Sequence, residues 1–228
     1  MQVTAKVDLS RFENSFYHPG RSWFWRMAWF AIGLPVLRCS MIPSSGFRRL
    51  LLQFFGAQIG PGAVIKPGFR VKYPWNLRVG RYCWLGEDAW VDNLTLVSIG
   101  DHVCISQGAY LCTGNHDWAD PAFGLIVRPI QIGDGAWVGA RASLAPGAVV
   151  GEHAVIGFGS VVTKRVPPYQ IHCGNPAAFV RHREIASIKS SQPSAANRDG
   201  QAADQGLSPA GTSPASSDAS SHSRLISR

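Results

Sequence analysis

From Ile132 to Val162 an apolar residue stands at every sixth position: Ile132, Val138, Leu144, Val150, Ile156 and Val162. Glycine or alanine follows the first five (Gly133, Gly139, Ala145, Gly151, Gly157), and Thr163 follows the last. A six-residue step fits neither a helix of period 3.6 nor a strand of period 2. It fits a short strand, a tight turn and another short strand. The small residues mark where the backbone bends or comes close to its neighbour. A unit of this kind cannot bury an apolar face alone, so the units must stack into a solenoid.

The same step runs upstream as Ile59, Ile65, Val71; then Val79, Leu85, Val91; then Ile99, Ile105, Leu111. Between these triplets the spacing lengthens. With three legs to a coil, the third leg of three successive coils is oversized, spanning 71–78, 91–98 and 111–131. All three insertions therefore stack over one corner. Trp75, Asn76, Asp92, Asn93, Asn115, His116 and Asp117 should lie near one another there, because stacked strands are about 4.8 Å apart.

The pattern divides the chain at 1–58, 59–180 and 181–228. The first part opens polar and irregular, then carries Trp23–Leu34, closed by Pro35, and a second apolar stretch from Phe47 to Phe55 with Arg48 and Arg49. Trp23–Leu34 is too short for a bilayer span, which takes about 20 apolar residues. It reads as a helical cap over the first coil, with an added role as an interfacial helix whose arginines face anionic lipid. The solenoid is expected to end near Val162, ahead of Val166-Pro167-Pro168. Phe179–Ile188 is expected to form a short helix. From Ser190 the chain is Ser-, Ala- and Pro-rich and is expected to be disordered.

Composition narrows the function. The 228 residues carry a net charge of +8. Up to residue 58 there are seven basic residues against Asp8 and Glu13, whereas 59–180 holds nine against eight and is close to neutral. No nucleic-acid-binding motif accompanies the charge, so no nucleic-acid partner is expected. Cys39, Cys83, Cys104, Cys112 and Cys173 are scattered and odd in number, which suits reduced thiols in the cytoplasm. No signal peptide is expected, since the first apolar run comes only after Arg21 and lacks a cleavage-like end.

The chemistry concentrates in Leu111-Cys112-Thr113-Gly114-Asn115-His116-Asp117-Trp118, the start of a 21-residue leg. Long excursions from a rigid scaffold commonly carry function. A histidine, with an ordinary pKa of about 6.5, suits a general base at neutral pH. His102 and His153 instead occupy the fourth position of ordinary repeats, an outward turn site.

The hexapeptide steps, the loop Cys112–Asp117 and the ending Val161-Val162-Thr163-Lys164…Gly174-Asn175-Pro176-Ala177 resemble the left-handed β-helix acyltransferases. Within these the sequence is most similar to colanic-acid-type exopolysaccharide acetyltransferases, over roughly residues 20 to 182. The resemblance implies an all-β, left-handed parallel solenoid that forms homotrimers, with sites between neighbouring subunits. It implies O-acetyl transfer from acetyl-CoA to a sugar hydroxyl, with His116 as the base and no covalent intermediate. Asp92 and Asn93 would hold the acceptor, alongside Asn115, Asp117 and Trp118 of the loop.

On the donor side, the same resemblance assigns Trp137 to the acyl-donor channel and the backbone N–H groups of Gly139 and Ala140 to the thioester oxygen. Acetyl-CoA would run past Gly157, Phe158, Thr163 and Lys164, with Arg165 and Arg181 near its phosphates. Many relatives in that family have a small residue where Phe158 stands and an acid where Arg165 stands. No metal is expected: a carbonic-anhydrase-like solenoid needs three histidines converging on zinc, and only His102 and His116 are candidates. The remaining alternatives are a non-enzymatic trimeric scaffold and an acyltransferase for another hydroxyl or amine. The expected location is cytoplasmic, with peripheral contact at the inner face of the membrane.

Overall fold

The computed structural model describes residues 6–42 and 44–186. Strands two to five residues long stack into a parallel β-solenoid with three faces. The first face holds six strands: Gln58–Ile59, Leu77–Val79, Val97–Ile99, Ile130–Ile132, Val149–Val150 and Arg165–Val166. The second begins with Val64–Ile65 and passes through Trp84–Leu85, Cys104–Ile105, Trp137–Val138 and Val155–Ile156 to Gln170–Cys173. The third runs Arg70–Val71, Trp90–Asp92, Tyr110–Cys112, Ser143–Leu144 and Val161–Val162.

Every residue of the six-residue register, from Ile59 to Val162, points inward and is buried. A second buried column stands two positions earlier in each leg, where Ala136, Ala142, Ala148 and Ala154 fill the narrow interior. The small residue after each apolar one has a steric reason. A Cβ added to Gly133 would stand 2.6 Å from the Glu152 nitrogen and 2.9 Å from its Cα, on the next coil. Neither backbone atom can swing aside. Gly133→Ala should therefore destabilise the fold by about 1–3 kcal/mol, the range for overpacking. Thermal unfolding measures it, and an unchanged midpoint would mean that the coils separate freely.

His102 and His153 sit in left-handed turns, at φ +57° and +54°. Their rings pack on those of neighbouring coils, Tyr82 on His102 at 5.3 Å and His153 on Tyr169 at 4.9 Å. Structural stacking accounts for both.

Among the described residues three α-helical pieces precede the first coil: Trp23–Ala28, which continues through the π-helical Trp29–Gly33 into Leu34–Arg38, and Ser45–Phe54. Ser22 and Ser44 cap the first and last by accepting the N–H of Trp25 and Phe47. Trp29, Leu37, Leu52 and Phe55 close the open end of the core. Their polar neighbours satisfy the unpaired first rung: Trp29 Nε1 donates to the Val71 carbonyl, Gln53 Nε2 donates to that of Ile59, and Ser45 Oγ accepts from Ile65 N–H. One expectation fails here. Arg48 does not face outward toward lipid; it is buried, donating to the carbonyls of Leu37, Cys39 and Ile42.

The other end also differs from expectation. The solenoid continues past Val162 by two more rungs, Arg165–Val166 and Gln170–Cys173. Pro167 and Pro168 fall in the turn between them, where the ladder asks for no N–H. Ala178–His182 is a strand, not a helix, and pairs antiparallel with Gln170–Cys173. A last parallel strand offers a row of unpaired backbone groups, and the returning chain covers them. The part of the expected helix beyond Ala186, and the whole Ser-rich tail, lie outside the described residues.

Candidate active site

The three oversized legs do stack on one corner. After Val71, Asp92 and Cys112 the chain leaves the ladder, and side chains replace the missing rungs. Asn93 is fully buried; its Oδ1 accepts from Tyr73 N–H at 2.9 Å and its Nδ2 donates to the Tyr73 carbonyl at 2.8 Å. Thr113, also buried, donates to the Asp92 carbonyl and accepts from Thr95 N–H. Asn93 therefore offers no free polar group to an acceptor, contrary to the sequence expectation. Asp92 is partly open, in an ion pair with Lys72 at 3.0 Å. Burial pushes the Tyr110 phenol beside it upward in pKa.

The longest leg is a β-hairpin arm rather than an irregular loop. Gly114–His116 pairs antiparallel with Leu125–Val127, setting His116 opposite Leu125 at the base of the tip. The tip is tied by Asp117 N–H to the Gly124 carbonyl, 2.8 Å, and by the Asp117 carboxylate accepting Ala119 N–H, 3.0 Å. Asn115 Oδ1 accepts the His116 N–H at 2.8 Å.

The imidazole is held from two directions. Its Nδ1 is 3.0 Å from the Phe123 carbonyl, and its ring stacks on that of Phe123 at 4.5 Å and 12°. A carbonyl only accepts, so Nδ1 carries the proton and Nε2 the lone pair. Nε2 has no hydrogen-bond partner among the described residues. Asn115, His116, Asp117 and Trp118 line one depression of about 130 Å³ with Ile126, Arg128 and Pro146.

The donor-side candidates divide. Thr163, Lys164 and Arg165 line a groove of about 300 Å³ with His172, Pro176 and Ala177. Trp137 stands half-exposed on the second face, its Nε1 donating to Ser106 Oγ at 2.8 Å. Of the two proposed amides, Gly139 N–H is consumed by the ladder, donating to the Ile156 carbonyl at 2.8 Å. Ala140 N–H makes no such bond among the described residues and is the available donor. Gly157 and Phe158 follow Val155–Ile156, with Phe158 strongly exposed, and Arg181 lies in the added antiparallel strand. Neither Asp92 nor Trp137 lines the His116 depression.

Three lining residues of the depression and one neighbouring segment of His116 escaped the sequence reading. Ile126, Arg128 and Pro146 come from the far side of the hairpin and the next coil, which the six-residue step does not number. The segment Asp8–Tyr17, read as polar and irregular, lies against the hairpin, with Phe12 at 5.6 Å from the His116 ring. Its only advance signal was apolar Leu9, Phe12 and Phe16 among polar neighbours.

The family described as "Bacterial transferase hexapeptide (six repeats)" matches residues 129–164. The Escherichia coli (strain K12) protein named "Putative colanic acid biosynthesis acetyltransferase WcaF" is 39% identical over 155 residues, covering 68% of this chain and 85% of that one. The chain belongs to the hexapeptide-repeat acyltransferase family. Galactoside O-acetyltransferase of E. coli (strain K12) is 31% identical over 137 residues, 59% of this chain and 68% of that one. A solved galactoside acetyltransferase in complex with coenzyme A superposes with a TM-score of 0.63 at 26% identity, covering 71% of this chain and 82% of that one.

Proposed function

We propose that this hexapeptide-repeat protein transfers acetyl from acetyl-CoA to a sugar hydroxyl in surface or exopolysaccharide biosynthesis, with His116 as general base. The observation that carries the reading is the imidazole: Nδ1 is pinned by the Phe123 carbonyl, Nε2 has no hydrogen-bond partner among the described residues, and His116 lines an open depression. The relatives named for colanic acid biosynthesis and for galactoside acetylation support acetyl transfer and the acceptor class, and the solved galactoside acetyltransferase in complex with coenzyme A supports the donor.

The steps follow from that geometry. Nε2 takes the proton of an acceptor hydroxyl as its oxygen attacks the thioester carbonyl carbon. Ala140 N–H is the remaining candidate to meet the charge that develops on the carbonyl oxygen. The tetrahedral adduct collapses, the C–S bond breaks, and the imidazolium returns its proton to the departing thiolate. Acetyl ester and CoA thiol are the products, with no enzyme ester between them. Thr163, Lys164 and Arg165, gathered on one groove, suit the charged end of the donor. Because Asp92, Trp137 and His116 do not share a pocket in one chain, the reading includes a homotrimer in which a neighbour completes the site. Acceptor-dependent CoA release from acetyl-CoA, over a panel of methyl hexopyranosides, tests the reading. No release above the rate without acceptor would sink it.

Peripheral membrane contact belongs to the same reading. No helix among the described residues is long and apolar enough to cross a bilayer. Phe24, Met27 and Ala31 nevertheless form one exposed helical face, and Phe47, Leu50 and Phe54 form another. The Trp25 and Phe54 rings, 5.6 Å apart, join the two helices. Between Asn14 and Gly86 the sequence has ten Lys and Arg and no Asp or Glu. An apolar ridge on a stretch of chain that carries basic residues and no carboxylate suits an anionic bilayer surface. The protein should sediment with phosphatidylglycerol-containing vesicles at low salt and be released as screening rises. Phe24→Ser with Phe54→Ser should weaken binding at every salt. Equal recovery with and without vesicles would remove the contact.

A further inference from the structure

We propose that the segment Asp8–Tyr17 is a wall of the acceptor site and that Phe12 is a specificity-determining residue, presenting an aromatic surface beside His116 to the apolar face of a pyranose acceptor. The inference rests on the catalytic reading above and extends it to what holds the acceptor.

The segment is fixed at two points that belong to different parts of the site. Asp8 N–H donates to the Pro121 carbonyl, 2.8 Å, in the tip of the hairpin arm. Tyr17 donates its hydroxyl to the Leu94 carbonyl, 2.8 Å, on the corner that follows Asp92. Between these anchors the chain spans from the hairpin to the corner. Asp8 organises the turn, its carboxylate accepting the N–H and hydroxyl of Ser10 at 3.1 and 2.6 Å. The short 3₁₀ turn Leu9–Arg11 follows and delivers Phe12 to the imidazole, ring centroids 5.6 Å apart and inclined at 59°.

A purely structural role for Phe12 explains less. His116 is already oriented without it, by the Phe123 carbonyl and the stacked Phe123 ring. The segment has its own backbone and hydroxyl anchors. Phe12 keeps 37% of its surface open, where a packing residue would be covered. An aromatic ring left open beside a catalytic base is suited to a substrate that is apolar on one side and hydroxylated at its edge. A pyranose has that form: its axial C–H bonds make one face apolar, while the equatorial hydroxyls reach outward. The aromatic surface supplies area and orientation, and few polar groups are then needed to select the hydroxyl.

The test uses the full chain with acetyl-CoA, a methyl hexopyranoside and glycerol as acceptors, reading CoA release. Phe12→Ala should raise the pyranoside KM about tenfold, equivalent to about 1.4 kcal/mol and within reach of one aromatic contact. The acetyl-CoA KM and the glycerol reaction should change less than about twofold. Phe12→Tyr and Phe12→Trp should restore the pyranoside KM, and Phe12→Leu should not. Should Phe12→Ala fail to fold, the Tyr, Trp and Leu variants still decide the matter. A pyranoside KM that ignores the ring, or a parallel rise in every KM, overturns the proposal while His116-dependent transfer stands. Absence of His116-dependent transfer in the unaltered chain overturns the catalytic reading itself, and this proposal with it.

Discussion

His116→Ala is expected to lower the rate of acetyl transfer by about 10²–10⁴, the range for losing a general base. The expectation comes from how the ring is held. The Phe123 carbonyl fixes the proton on Nδ1, so the lone pair on Nε2 is presented without a tautomeric penalty. Alanine removes that lone pair and leaves the hairpin pairing intact, since Gly114–His116 pairs with Leu125–Val127 through its backbone. The groove lined by Thr163, Lys164 and Arg165, proposed above for the donor, lies elsewhere on the solenoid. Acetyl-CoA binding should therefore survive, within about twofold, while the chemical step fails. Single-turnover CoA release separates the two. His116→Gln should be as poor as alanine, because an amide fills the space without accepting a proton at neutral pH. Activity within tenfold of the unaltered protein in both variants would remove the base from the mechanism. Donor binding lost in proportion to rate would show a folding defect instead.

The solenoid was legible because its rule is local and repeated. Each leg asks for an apolar residue at one place, which the chain supplies from Ile59 to Val162, and most legs follow it with a small residue, Lys66, Lys72 and Asp92 being the departures. The shared corner was legible for the same reason: a register that slips at the same leg of successive coils must place the slips together. What escaped the sequence lacks a period. Pro167 and Pro168 looked like a stop, yet prolines do not interrupt a ladder when they fall in its turns. Phe179–Ile188 had no helical capping signal to weigh against an exposed final strand in need of a partner. Asn93 looked available for a ligand, but both of its polar atoms replace a missing rung against Tyr73. Gly139 N–H, likewise, belongs to the ladder, which leaves Ala140 as the donor. The contact between Phe12 and His116 joins residues 104 positions apart with no repeat to align them.

Arg48→Leu should cost about 3–5 kcal/mol of stability, among the largest effects of any single substitution outside the site. Arg48 is 1% exposed, yet no carboxylate among the described residues pairs with it. Its Nε donates to the Leu37 carbonyl at 3.3 Å and one terminal nitrogen donates to Cys39 at 3.0 Å and to Ile42. These carbonyls lie at and beyond the C-terminal end of Leu34–Arg38, where helical carbonyls lack intrahelical partners. The guanidinium thus serves as the cap for one helix while standing on another. Leucine would fill much of the volume and leave these carbonyls buried without donors. Arg48→Lys keeps the charge but has no planar fork to span separate acceptors, so an intermediate loss of about 1–3 kcal/mol is expected. Urea unfolding measures both. The consequence extends beyond the helices, because Trp29, Leu37, Leu52 and Phe55 close the core above Ile59 and Ile65. A loosened cap uncovers the first rung, so the leucine variant should also aggregate through that edge. Full stability in Arg48→Leu would mean that the carbonyls find water when the arginine leaves, and that the helices adhere to the solenoid by apolar contact alone.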